Sequence, residues 1–380
     1  MTLYTMFINL HLTDMKRFTK EAFRVLCFLA VIAFCSCSND DSDESNTTQT
    51  TAEKPYHIEG TPNVIVDTDL GNCCDDALAL QLLFKYRAEK KLNLLAVMGN
   101  SKVPQAKRLL DAYMHYYKAD DVPLGMIEGE GTVYEMIPYY KLVDSVYTDG
   151  TPWLPPTDIP LSDRLPAWKE YRKQLSKAAD NSVSIICIGA LTNLGKLMDS
   201  SADEYSSLTG MELIKQKVQQ LTVVGGCFTK VKLRFGQGFL DVEYNIAADI
   251  PLAKKVLEGW PTYLSILPLE EGMKYPSDHA EVLSDYAWNP TNPMYLIYDN
   301  FNEWERGDVG QYWWDPICIM HCVNYKAYFD CTAQGEVNVS DEGITTFKTK
   351  IGGKAHVISS NAAHTREVYQ ELRSAATWKP

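Results

Sequence analysis

Short apolar runs alternate with stretches of helical periodicity from His57 onward. Residues 64–66 form an apolar run of strand length, 77–86 repeat apolar side chains at the spacing of one helix face, and 92–98 (LNLLAVM) read as a second strand. The same order returns as a helix over 106–117, a buried strand over 183–188 (VSIICI), a helix start over 190–198, a strand over 221–224 and a helix over 249–257. This alternation predicts an α/β fold with an open, mostly parallel central sheet and helices on both faces, whose ligands bind beyond the carboxyl ends of the strands. The rhythm then changes. Residues 145–166, rich in Pro, Gly and Asp, predict a long surface loop, and the aromatic and acidic stretch 301–314 suits the wall of a cleft. Residues 335–357 alternate around Gly352-Gly353, which predicts a hairpin or extra C-terminal edge strands before a final helix over 365–375.

The first residues follow another pattern. Lys16, Arg17, Lys20 and Arg24 precede 25–34 (VLCFLAVIAF), an apolar stretch too short to span a bilayer comfortably. Phe34-Cys35-Ser36-Cys37 closes it and resembles a bacterial lipoprotein cleavage site, so 1–37 is expected to be a signal peptide with Cys37 lipidated and Met15 as its true start. Residues 38–56 are polar and acidic, bury too little to order themselves, and read as a tether. An acidic run straight after a lipidated cysteine resembles surface-export signals. The expected location is therefore the bacterial outer membrane, periplasmic or surface-exposed, with membrane contact only through the lipid. Residues 57–380 are expected to form a single domain.

Charge narrows the choice of partner. The net charge of −13 on 380 residues argues against non-specific binding to nucleic acid, which needs clustered Lys and Arg. A neutral or cationic small molecule, or a divalent metal, suits it better. Seven cysteines follow Cys37, an odd number without regular spacing, so no disulfide framework is expected. Cys318 and Cys322 stand four apart in an apolar helical pattern and read as buried small hydrophobes. His321, six residues beyond Asp315 on a helix predicted over 317–323, turns away from that aspartate and reads as structural.

The densest chemistry lies at the end of the first strand. VIVDTDLGNCCDDALAL places Asp67, Asp69, Asp75 and Asp76 within ten residues. Carboxylates held together at one strand end repel unless a cation neutralises them, and oxygen donors suit calcium or magnesium. Zinc through the adjacent Cys73 and Cys74 would need further soft ligands. A solvated acidic turn is the plain alternative. An Asp-x-Asp at a strand end is also similar to the magnesium phosphatases of the haloacid dehalogenase type, but Gly71 stands where that family has Thr or Val.

With its neighbours, the segment resembles the inosine-uridine preferring nucleoside hydrolases. DTDLGNCCDDALAL is followed in order by Val97-Met98-Gly99-Asn100, Val122-Pro123-Leu124, Ile188-Gly189-Ala190-Leu191-Thr192-Asn193-Leu194, Val224-Gly225-Gly226, Val242-Glu243-Tyr244-Asn245-Ile246 and Trp314-Asp315-Pro316. The resemblance implies hydrolysis of the N-glycosidic bond of ribonucleosides, releasing base and ribose. It assigns one Ca2+ to Asp69, Asp76, the carbonyl of Thr192 and Asp315, and makes Asp69 the general base toward the water that attacks C1′. Asp75, Asn100, Gln237, Glu243 and Asn245 would hold the sugar hydroxyls. It also leaves a homo-oligomer, dimer or tetramer, as the expected assembly.

One departure shapes the expected specificity. Many relatives carry a proton-donating His before the last calcium-binding Asp, and here Trp314 occupies that place. An indole is no useful acid, but it can stack on a base, and the purine-preferring branch is similar in carrying Trp there. Purine preference is therefore expected, with ordinary core packing as the other reading of Trp314. Cys73 stands where longer versions of the motif have Asp. With Trp314, it keeps open a catalytically degenerate lipoprotein of the same fold that only binds nucleoside or ribose.

Overall fold

The computed structural model describes residues 60–129, 138–232, 239–305 and 311–380. Cys37, the signal peptide, the tether and Gln237 lie outside the described residues. In chain order the elements that build the site are β1 (Asn63–Thr68), α1 (Asp75–Ala88), β2 (Asn93–Gly99), α2 (Pro104–Tyr116), β3 (Leu124–Met126), α3 (Ala167–Lys177), β4 (Val183–Cys187), α4 (Thr192–Asp199), α5 (Gly210–Lys217), β5 (Val218–Val224), α6 (Tyr244–Ala247) and α7 (Ile250–Gly259). After them come β6 (Tyr263–Leu267), α8 (Leu269–Gly272), α9 (His279–Asp285), α10 (Pro293–Glu305), α11 (Asp315–Tyr328), β7 (Phe329–Cys331), β8 (Gly335–Val339), β9 (Thr345–Thr349), β10 (Ala355–Ser360) and α12 (Thr365–Thr377).

Ten strands form one sheet in the order β9-β8-β10-β6-β5-β4-β1-β2-β3, with β7 paired to β10. From β10 to β3 every pairing is parallel. The hairpin β8–β9 and strand β7 add antiparallel pairings at the C-terminal side. The extra strands expected from the alternation at 335–357 are thus β8, β9 and β10.

Successive side chains of β1 serve opposite faces, as the pleat requires. Val64 and Val66 enter a core shared with α1, α2, α11 and α12, while Ile65 enters one shared with α3, α4, α5 and α7. Parallel strands covered on both faces carry continuous apolar runs, which explains NVIVDT and VSIIC. Helix α1 is buried from Asp75 to Tyr86, so its sequence is apolar nearly all round rather than striped.

The topology fixes where a ligand can sit. From β1 the chain steps outward through β2 and β3, then returns to place β4 on the other side of β1 and continues through β5 to β6. The order therefore reverses between β1 and β4, and a crevice opens beyond their carboxyl ends. Into it run the segments after Thr68, Gly99, Cys187 and Val224. Helix α1 starts at Asp75, two residues before the apolar periodicity begins, because acidic side chains are favoured in a helix's first turn. This start carries both aspartates to the crevice.

Candidate active site

Asp67 and Asp69 leave β1 only two residues apart but have different surroundings. Asp67 still belongs to the strand, opposite Met98 and Cys187. Its buried carboxylate accepts hydrogen bonds from Asn193 Nδ2 (3.1 Å), Tyr171 OH (3.1 Å) and Asn100 Nδ2 (3.3 Å). Burial pushes its pKa up to about 7 against those three donors. Asp67 thus ties the segments after β2 and β4 to α3. Asn100, expected at the sugar, directs its amide nitrogen to Asp67 and to the carbonyl of Ala190.

Asp69 lies beyond the strand, where Asn72 Nδ2 donates to its Oδ2 at 3.2 Å. Gly189, after β4, packs so closely that a Cβ there would stand 2.8 Å from Asp69 N and 3.0 Å from its Cβ and Cγ. The turn that follows passes Gly71 at φ +122°, beneath Tyr140 and Ala106, with Tyr140 OH donating to the Gly71 carbonyl. Tyr139 OH donates to the Cys73 carbonyl at 3.0 Å. Cys74 is fully buried, and the Cys73 thiol is held well above its ordinary pKa by its bond to Cys74, by burial and by Asp75. Neither cysteine belongs to the metal-capable groups found among the described residues, and both pack against the core.

Oxygen atoms of Asp75, Asp76 and Asp315 come within 4.8 Å of one another, all three side chains being buried. Thr68 Oγ1 donates to Asp76 Oδ1 at 2.5 Å, and the Asp315 backbone N–H, opening α11, donates to Asp75 Oδ2 at 3.3 Å. Burial raises the Asp315 pKa well above the carboxylate range, and the charges of Asp75, Asp76, Asp69 and Glu243 raise it further. Burial, then Asp75 and Glu243, raise Asp69 to about 8. Buried carboxylates that act on each other this strongly are oxygen donors of the kind a hard cation takes. Asp75, which the resemblance assigns to the sugar, has an oxygen within this cluster.

Thr192, the first residue of α4, is buried and donates its Oγ1 to Asp249 Oδ2 at 2.8 Å, while Asp249 caps α7. Its carbonyl is the oxygen that the resemblance assigns to the ion. Glu243 caps α6, accepting from Asn245 N (2.8 Å), Ile246 N (3.2 Å) and Gly226 N (3.2 Å). Burial raises its pKa to about 7 despite these donors. Asn245 Nδ2 donates to the Val224 carbonyl at the end of β5 (3.1 Å). Trp314, half-buried, donates its indole N–H to the Leu269 carbonyl at 2.9 Å and lies 5.3 Å from the Tyr312 ring.

Sequence reasoning missed Tyr171, Asn193, Gly189 and Asp249 as supporting residues. Asn193 and Gly189 lie inside the quoted IGALTNL motif, so a signal was there. Tyr171 sits on α3, outside every predicted element.

A buried set of carboxylates at the switch point of a mostly parallel sheet defines a class of α/β protein whose ligands bind beyond the strand ends. The chain belongs to the inosine-uridine preferring nucleoside hydrolase family, which it matches over residues 64–379. A plant nucleoside hydrolase shares the fold at TM-score 0.63 and 19% identity, covering 84% of this chain and 100% of its own. The inosine-uridine preferring nucleoside hydrolase from Bacillus anthracis does so at TM-score 0.59 and 15% identity, covering 83% and 100%. A purine-preferring ribonucleoside hydrolase from Gardnerella vaginalis gives 0.63 and 14%, covering 83% and 99%. No match was found among curated proteins. Family and fold together support N-glycosidic hydrolysis of nucleosides.

Proposed function

We propose that this protein is a calcium-dependent ribonucleoside hydrolase that prefers purine bases. The convergence of Asp75, Asp76 and Asp315 beside Asp69 at the β1/β4 crevice carries this reading. Asp69, Asp76, Asp315 and the Thr192 carbonyl would hold the ion, with the Asp75 carboxylate beside them. Calcium, when bound, supplies the positive charge that neutralises these carboxylates, orients ribose hydroxyls and acidifies water. Asp69 takes the proton of the attacking water on its carboxylate, and Gly189 keeps it in place. The remaining carboxylates favour the positive charge that develops on the sugar as the N-glycosidic bond breaks. Glu243, Asn245, Asn100 and Gln237 would contact the hydroxyls.

The anchoring of Trp314 supports its role at the base. Its N–H is committed to Leu269, so the residue offers a ring face rather than a proton. Stacking on a base contributes about 1–3 kcal/mol, so Trp314→Ala should lower kcat/KM for inosine roughly 5- to 150-fold and for uridine less. Steady-state rates on a nucleoside panel with and without chelator test the whole reading. Purine release that stops on chelation is expected; ribose binding without base release would mark a protein that only binds. Asp69→Ala should abolish turnover while leaving the circular dichroism spectrum intact, and full activity would remove it as the base. We also place the enzyme at the outer membrane through Cys37, on the strength of residues 16–37, which mass spectrometry of the purified protein checks by a lipid on that residue.

A further inference from the structure

A second cluster of metal-binding groups lies at the C-terminal extension of the sheet. His321 on α11, Cys331 on β7 and His356 on β10 bring one nitrogen or sulfur atom each within 4.8 Å of one another. The topology makes this meeting possible. In the antiparallel ladder β7–β10, Cys331 stands opposite Ile358, and His356, two residues before Ile358, shares its face of the strand. Helix α11 packs on that face and delivers His321, whose ring centre is 6.3 Å from that of His356.

The surroundings are those of a metal ligand set. Both histidines are buried, and His356 is 1% exposed. His356 Nε2 lies 2.9 Å from Ser265 Oγ, which also accepts from Gln220 Nε2 at 2.8 Å. With Nε2–H donating to that oxygen, Nδ1 presents a lone pair, and Nδ1 is buried with no hydrogen-bond partner among the described residues. A ring nitrogen anchored by a polar neighbour while the other stays open is the usual setting of a ligating histidine. Burial keeps His356 neutral, its pKa pushed down to about 4. Cys331 is only partly buried, which leaves a solvent side for entry and for a fourth ligand.

We infer that His321, Cys331 and His356 form a binding site for a single transition-metal ion of the zinc type, separate from the carboxylate crevice. Two imidazoles and one thiolate with an open fourth position suit tetrahedral zinc and not calcium, which takes oxygen donors. In such a site the donors stand about 3.3–3.6 Å apart, given Zn–N near 2.0–2.1 Å and Zn–S near 2.3 Å. The three atoms lie within 4.8 Å of one another, so side-chain adjustment of at most about 1.5 Å would bring them to that spacing. On binding, the Cys331 thiol gives its proton to solvent and the sulfur becomes the ligand. The ion would fasten β7 and β10 to α11. This site does not depend on the nucleoside chemistry.

Cobalt titration of the chelator-treated full chain tests it, because thiolate ligation gives a sulfur-to-cobalt charge-transfer band that an all-oxygen site cannot. One equivalent of Co2+ should produce the band, zinc should abolish it, and excess calcium should leave it unchanged. Cys331→Ser should lose the band, and His356→Gln should need at least tenfold more cobalt to reach half its intensity. Absence of the band in the parent protein, or its persistence in Cys331→Ser, overturns the site. If Cys331→Ser does not fold, an unchanged titration in His356→Gln overturns it equally.

Discussion

Asp67 and Asp69 show how two identical residues acquire separate work from their position alone. Asp67 sits inside the strand and is surrounded by donors, whereas Asp69 sits just past it and is surrounded by carboxylates. Asp67→Ala would remove the buried acceptor of the Tyr171 hydroxyl and one of the two acceptors of each of the Asn193 and Asn100 amides. At about 1–3 kcal/mol for an unsatisfied buried group, urea unfolding should show a loss of that size, and Asp67→Asn a smaller one. The sequence displays all the acids, and the resemblance names most of the ligands. It does not separate the hydrogen-bonded Asp67 from Asp69 beside the carboxylate cluster, since that depends on Tyr171, 104 residues away. The partner of the Trp314 N–H is likewise a carbonyl in α8 that no local pattern announces.

At the scale of elements, the crevice depends on how closely the segment after β4 passes the end of β1. Gly189 allows that passage, and Gly189→Ala would force Asp69 aside. Misplacement by about 1 Å costs on the order of 100-fold in rate, so kcat should fall by about that factor while the protein stays folded. A kcat within twofold of the parent would show that the loop gives way instead. The long apolar elements were legible: β1, β2, β4, α1 and α7 lie within a few residues of where the periodicity places them. Strand β7 was not, being three residues long, too short to show a period, and β6 was not read although it is as long as β4. Helix α3 escaped because its buried residues are partly polar, Glu170 and Arg172 among them. The start of α1 was missed for a physical reason, since its first turn is chosen by charge rather than by apolar spacing.

For the whole molecule, the buried carboxylates should make stability depend on pH, and on calcium if the proposed site holds it. Asp67 and Glu243 are raised to about 7 and Asp69 to about 8, all above their unfolded values. Between the unfolded and folded pKa values the native state binds more protons, so these groups stabilise it at low pH and that contribution fades as pH rises through 7 to 8. Below pH 6.5 the buried His356, depressed to about 4, opposes the trend. The Tm of chelator-treated protein should therefore fall from pH 6.5 to 8.5. Calcium should raise Tm most at the upper end, by the equivalent of about 2.7 kcal/mol at a hundred times its Kd. A metal-free Tm that climbs over that range would show that these carboxylates are not held protonated.

The crevice also has a timetable. Its first acids emerge at Asp69, Asp75 and Asp76, but Asp315, whose N–H meets the Asp75 carboxylate, follows 240 residues later. A nascent chain emerging from the ribosome therefore exposes these acids long before the residue that completes the set has been made. Domains form largely as units during synthesis, so the early carboxylates must wait as a hydrated, open turn until the last third of the chain arrives. A fragment that stops short of α11 lacks the closing aspartate and should not retain calcium.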